Sequence, residues 1–153
     1  MSVRVFASVE DFAAAVGTRL GSANGPQITQ EMITRFGELT GSDDWIHSDP
    51  ARAAESQFGG TIAQGDLVLA MIPRLMDSIY KIEGVTLGLI YGSNCVRYTS
   101  VIPVGSRPTF TASLLGAAPK ANGTQVTIEV VVHLADHDKP ALVAEVVYWL
   151  SDQ

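Results

Sequence analysis

Only one cysteine, Cys95, occurs in the 153 residues, so no internal disulfide can form and a disulfide-stapled extracellular scaffold is excluded. Charge is sparse as well. Asp, Glu, Lys and Arg make up 17% of the chain, the formal net charge is −6, and no cluster of Lys or Arg supplies the footprint that a phosphate backbone or an anionic membrane requires. Nucleic acid and membrane surfaces are therefore not expected partners. No stretch approaches the roughly 18 consecutive apolar residues needed to span a bilayer. The segment MSVRVFASVEDFAAAVG carries Glu10 and Asp11 within its apolar run and does not read as a signal peptide, which makes the cytoplasm the expected setting.

What is present is apolar. With 46% hydrophobic and only 17% charged residues the chain is more apolar than an average soluble domain, and this implies that a second copy covers some apolar surface as a homodimer. The length fits a single domain over 1–153, large enough to bury roughly 70% of the surface its unfolded chain exposes.

The hydrophobic period changes along the chain. Up to about Tyr80 apolar residues recur at helical spacing, whereas from Val85 onward they fall in β-branched runs separated by turn residues. Ser8 and Asp11 resemble a capping box ahead of a short helix, and GSANGPQ reads as a loop. Thr29 caps a second helix with Ile33, Phe36 and Leu39 near one face. Asp49 before Pro50 reads as an N-cap with proline at the first helical position, opening a helix over ARAAESQ that Gly59 and Gly60 close. The next helix starts near Gly65, is apolar nearly all round from Leu67 to Ile79, and should be distorted between Leu69 and Pro73 because proline lacks the N–H.

Five strands are expected after Gly84: VTLGLIY, NCVRYTSV, RPTFTASLLGAA, TQVTIEVVVHLA and ALVAEVVYWL, with turns at Gly92, IPVGS, ANG and DHDKP. Asn122 and Gly123 are the strongest hairpin signal. The expected class is α+β, an antiparallel meander wrapped around one buried central helix, with edge strands that pairing across a dimer would cover.

The segment ELTGSDDWIHSDPARAAESQFGGTIAQG carries the chemistry-bearing residues. It sets His47 beside Asp43 and Asp44, ahead of a glycine that opens an apolar helix. His133, His137, Asp136 and Asp138 invite a metal reading, but their spacing crosses from a strand into a turn and would not put both rings on one helical face. Trp45 reads as packing and Cys95 as a small core residue.

Four ordered segments, FGELTGSDDWIHSDPARA, FGGTIAQG, YGSNCVRY and VIPVGSRP, are similar to the MaoC-like family of (R)-specific enoyl-CoA hydratases and 3-hydroxyacyl-thioester dehydratases. The family pattern reads F-x-x-x-T-G-D-x-x-W-I-H-x-D-P-x-R-A, F-G-x-T-I-A-H-G, Y-G-x-N-x-V-R-F and P-V-P-V-G-S. The resemblance implies a hotdog fold and hydration of a trans-2-enoyl thioester, or the reverse dehydration, with an acyl-CoA or acyl carrier protein substrate and without metal or redox cofactor. It implies His47 as acid/base and the N–H of Gly65 as the donor that polarises the thioester carbonyl.

The chain departs from the pattern twice: Ser42 occupies the aspartate position and Gln64 the second histidine position. Asp44, three residues before His47, is the expected local substitute for the missing carboxylate, with Ser42 left to hold water. Gln64, Leu67, Asn94 and Arg97 are the expected substrate-binding positions. Two other readings are carried: an acyl-CoA thioesterase, since hotdog proteins include these, and an acyl-thioester-binding protein without turnover.

Overall fold

The computed structural model describes residues 3–135 and 137–152. Its framework is a five-stranded antiparallel sheet in the order β2-β5-β6-β7-β4, formed by β2 (Arg19–Asn24), β4 (Leu87–Tyr98), β5 (Thr109–Lys120), β6 (Gly123–His133) and β7 (Leu142–Ser151). A parallel pair, β1 (Arg4–Phe6) with β3 (Tyr80–Ile82), lies apart from it. The strands are amphipathic with period two. Phe110, Ala112 and Leu114 of β5 pair with Val132, Val130 and Ile128 of β6, and those with Leu142, Ala144 and Val146 of β7. All nine are buried, making one face the core.

That face is covered by the expected central helix, which is broken where Pro73 predicts. α5 (Gly65–Ala70) ends at Met71, whose N–H donates to the Val68 carbonyl, and α6 (Ile72–Met76) restarts with Pro73 in its first turn. A proline ring at that position clashes with the carbonyl four residues earlier, so one continuous helix is disallowed. Val68, Ile72 and Met76 project into the core.

Of the remaining helices, all but the shortest are capped as their sequences imply. α1 (Val9–Ala14) starts with the Asp11 N–H on the Ser8 hydroxyl at 3.1 Å. α2 (Gln30–Thr40) starts with the Met32 N–H on Thr29 and ends at Gly41 with a φ of 75°. α3 (Trp45–Ser48) is a single turn, and α4 (Pro50–Ala54) is capped by Asp49, which accepts the Arg52 N–H at 3.0 Å.

Several expectations are corrected. GSANGPQ is not all loop: Arg19–Asn24 pairs with β5 as an edge strand, although Gly, Ser and Asn are poor strand formers. VTLGLIY and NCVRYTSV are one strand, β4, with irregular pairing at Ile90/Gly92 and Ser93/Cys95 where a turn was expected. Only β5, β6 and β7 form a meander, because β4 lies beyond β7. The hairpin loop holds Ala121 and Asn122, and Gly123 already begins β6. The helix over ARAAESQ stops at Ala54, and Leu39 is 84% exposed, turned away from Ile33. No described helix is long and apolar enough to cross a membrane.

Candidate active site

His47 sits in the one-turn helix α3, half-buried, against the segment that leads into α5. Its Nδ1 is 2.7 Å from the Ile62 carbonyl oxygen. A carbonyl only accepts, so Nδ1 carries the hydrogen and the neutral ring keeps its lone pair on Nε2. The backbone around the ring is equally tied. Ile62 N–H donates to the Ile46 carbonyl at 3.0 Å, Gln30 Nε2 donates to the His47 carbonyl at 2.8 Å, and the Thr61 hydroxyl donates to Gln30 Oε1. Orientation therefore comes from main-chain and amide groups.

Two cavities share His47 as a lining residue. One, of about 220 Å³, is lined by His47, Ser42, Asp43, Gln64 and residues of α2. The other, of about 390 Å³, is lined by His47, Gly65, Tyr98, Ile62, Ile102 and neighbours. Gly65 is the first residue of α5, so its N–H has no intrahelical acceptor. His47, with Nδ1 engaged and Nε2 left over, and Gly65, with no intrahelical acceptor for its amide, thus line one space. That pairing can take a proton from a nucleophile and stabilise negative charge forming on an oxygen.

Gln64 organises the first cavity. The residue is 5% exposed, and its Nε2 donates to the Ile33 carbonyl at 3.1 Å and to the Ser42 carbonyl at 3.0 Å. Both amide hydrogens are used, while Oε1 is buried without a partner. Gly37 permits this approach, because a Cβ there would stand 2.8 Å from the Ser42 oxygen. Gln64 is therefore a strut between α2 and the loop before His47.

The sequence model of the family described as MaoC like domain matches residues 11–135. The chain belongs to the MaoC-like family. It is 46% identical over 144 residues to 3-hydroxyacyl-thioester dehydratase Z of Mycobacterium tuberculosis, a match covering 94% of this chain and 95% of that protein. Among solved structures, the monoamine oxidase regulatory protein of Archaeoglobus superposes with a TM-score of 0.77 at 21% identity, covering 99% of each chain. An unliganded (R)-hydratase of Pseudomonas aeruginosa superposes at 0.70 and 22% identity, covering 90% of this chain and 83% of that one. The fold is the hotdog fold, and this MaoC-like chain is an enzyme, a lyase of the family's hydratase and dehydratase kind.

Of the residues singled out in sequence, His47, Gly65, Ser42 and Gln64 converge on the two cavities of this MaoC-like enzyme. Asp44 does not line either; its carbonyl accepts the His47 N–H at 2.8 Å, and Asp43 takes the cavity position instead. A single turn of helix starting at Trp45 accounts for the difference, since Asp44 is its N-cap. Leu67 is core. Asn94 is exposed and donates to Glu145 at 3.4 Å, and Arg97 is exposed with its guanidinium on the Val96 carbonyl, so neither borders the His47 cavities.

Tyr98, Gln30 and Thr61 escaped the sequence reading. Two of them carried a signal there: Tyr98 stands where the family pattern has phenylalanine, and Thr61 matches the threonine of FGGTIAQG. Among the described residues no group of three or more His, Cys, Asp or Glu could hold a metal ion. Asp136, one of the four residues weighed for that role, lies outside the described residues.

Proposed function

We propose that the protein hydrates trans-2-enoyl thioesters to (R)-3-hydroxyacyl thioesters, or runs the reverse dehydration. The observation that carries this reading is the position of His47, which lines both the Ser42/Asp43 cavity and the Gly65 cavity while its Nδ1 is taken by the Ile62 carbonyl. The relative named as a 3-hydroxyacyl-thioester dehydratase supports the same substrate class.

In the hydration direction, a water held by the Ser42 hydroxyl and the Asp43 carboxylate gives a proton to Nε2 of His47 as its oxygen bonds to C3. The electron pair of the double bond moves toward the thioester, and the resulting enolate oxygen accepts a hydrogen bond from the Gly65 N–H. The imidazolium then returns the proton to C2. Hydrogen and hydroxyl are added across one double bond, with no net oxidation.

The apolar side of α5 and α6 is filled by core residues such as Val68 and Ile72, so the acyl chain needs another space. A third cleft of about 900 Å³ opens at the α6 end, lined by Pro73, Met76, Ile82, Ile90 and Leu150 among others, and shares no lining residue with the His47 cavities. A homodimer joins the two. β4 is an edge strand with Leu87, Leu89, Ile90 and Tyr91 exposed, and a long apolar edge is a template for pairing. Antiparallel pairing of β4 with its copy would lay the Ile90 end of one protomer beside the Tyr98 end of the other. Residues 1–153 act in this reading as one domain, in the cytoplasm, on acyl-CoA rather than an acidic acyl carrier protein, because the chain is itself acidic.

The reading is tested by following the enoyl absorbance of crotonyl-CoA together with free thiol. Loss of absorbance without thiol supports hydration, and thiol release supports thioester hydrolysis.

A further inference from the structure

The first turn of α5 is gripped by one side chain from the sheet. A Cβ built on Gly65 would lie 2.6, 2.7 and 2.8 Å from Cδ1, Cε1 and Cγ of Tyr98, distances that real Cβ atoms essentially never show. The Tyr98 ring therefore lies directly on the Gly65 backbone. Its hydroxyl donates to the carboxylate of Asp66, the next residue. Tyr98 is itself anchored as the last residue of β4, paired with Leu142 of β7. The ring lines the same 390 Å³ cavity as His47 and Gly65.

Glycine at position 65 thus has a requirement independent of any ligand. A substrate carbonyl approaching the N–H does not explain why the Cα must be bare, whereas the ring of Tyr98 does. The phenol is a dependable donor at neutral pH, because desolvation, and then the hydrogen bond to Asp66 and its charge, hold its pKa above the ordinary tyrosine range.

We infer that Tyr98 is a positioning residue: by its ring on Gly65 and its hydroxyl on Asp66 it sets the direction in which the Gly65 N–H meets the thioester oxygen. This rests on the oxyanion role given to Gly65 above. A tilt of the turn would weaken a transition-state contact more than ground-state binding, so the effect falls on kcat.

The test uses the full chain, with crotonyl-CoA as the probe. Tyr98→Phe and Asp66→Ala each lose one hydrogen bond, and kcat is expected to fall about 3- to 10-fold in each, with KM changing by less than roughly twofold. The double variant is expected to be no slower than the slower single, and Asp66→Asn, which keeps an acceptor oxygen, to retain most of the activity. Thermal midpoints supply a second arm that does not depend on turnover: Gly65→Ala is expected to lower the midpoint in the native background and to cost clearly less beside Tyr98→Ala.

Unchanged kcat, multiplicative losses in the double variant, or an equal cost of Gly65→Ala with and without the ring would overturn the inference while leaving the functional reading intact. Absence of both hydration and dehydration by the unmodified chain would overturn the functional reading and this role with it.

Discussion

The Nδ1–H of His47 donates to the carbonyl of Ile62 at 2.7 Å, so a main-chain oxygen holds the ring of the proposed acid/base. A main-chain acceptor fixes the tautomer without adding a negative charge beside the ring. Replacing His47 with Gln removes the proton carrier, and hydration is expected to fall by about 10²- to 10⁴-fold. The thermal midpoint, measured on the same sample, should fall far less than loss of the fold would require.

Asp43 lines the cavity next to His47 and Asp44 does not. Asp43→Asn is therefore expected to lower kcat by about tenfold or more, whereas Asp44→Asn leaves it within about twofold. Ser42→Asp returns a carboxylate to the same cavity and is expected to raise kcat. Steady-state kinetics on the three variants separate these outcomes, and the reverse order for Asp43 and Asp44 would reassign the water-holding group.

Gln64 bridges the Ile33 and Ser42 carbonyls with both hydrogens of its amide. Gln64→Glu would turn a buried double donor into an acid facing two carbonyl oxygens, at an expected cost of about 2–4 kcal/mol. Chemical denaturation measures that loss. Because the Ser42 carbonyl is released as well, kcat should fall even in the folded fraction.

Alkaline pH should destabilise the fold through its buried phenols. Burial, with a smaller contribution from Asp77, pushes Tyr148 from the ordinary 10.0 up to about 12, and burial raises Tyr80 in the same direction. A raised pKa means that the folded chain keeps its proton where the unfolded chain has lost it. This contribution is intact below pH 10 and is lost as pH rises toward 12, by at most about 1.4 kcal/mol per pH unit for one group. Denaturation at pH 9, 10 and 11 checks the slope, and Tyr148→Phe should flatten it.

Much of the architecture was legible locally. Pro73 announced the break between α5 and α6, Asp49 with Pro50 the start of α4, and the alternating runs the positions of β5, β6 and β7. Pairing order was not, because the place of β4 beyond β7 is decided by contacts far apart in sequence. The weak strand formers of β2 are held by pairing to β5, and no local propensity reports that. At the site, the motif residues Ser42, His47, Gln64 and Gly65 converge while Asn94 and Arg97 do not, and the contacts that orient the site lay outside any local pattern. The Ile62 carbonyl is backbone, Gln30 lies 17 residues before His47, and Tyr98 reaches Gly65 only because β4 ends beside α5. Spacing from His47 favoured Asp44 over Asp43, whereas the one-turn helix α3 makes Asp44 its N-cap and leaves Asp43 lining the cavity.

The most direct measurement is the incubation of the purified chain with crotonyl-CoA, followed by ultraviolet absorbance, thiol titration and chiral analysis of the product. The account predicts loss of the enoyl band, no free thiol, (R)-3-hydroxybutyryl-CoA as product, and near-abolition of all of this in His47→Gln. Thiol release, an (S) product, or turnover undiminished in His47→Gln would contradict it.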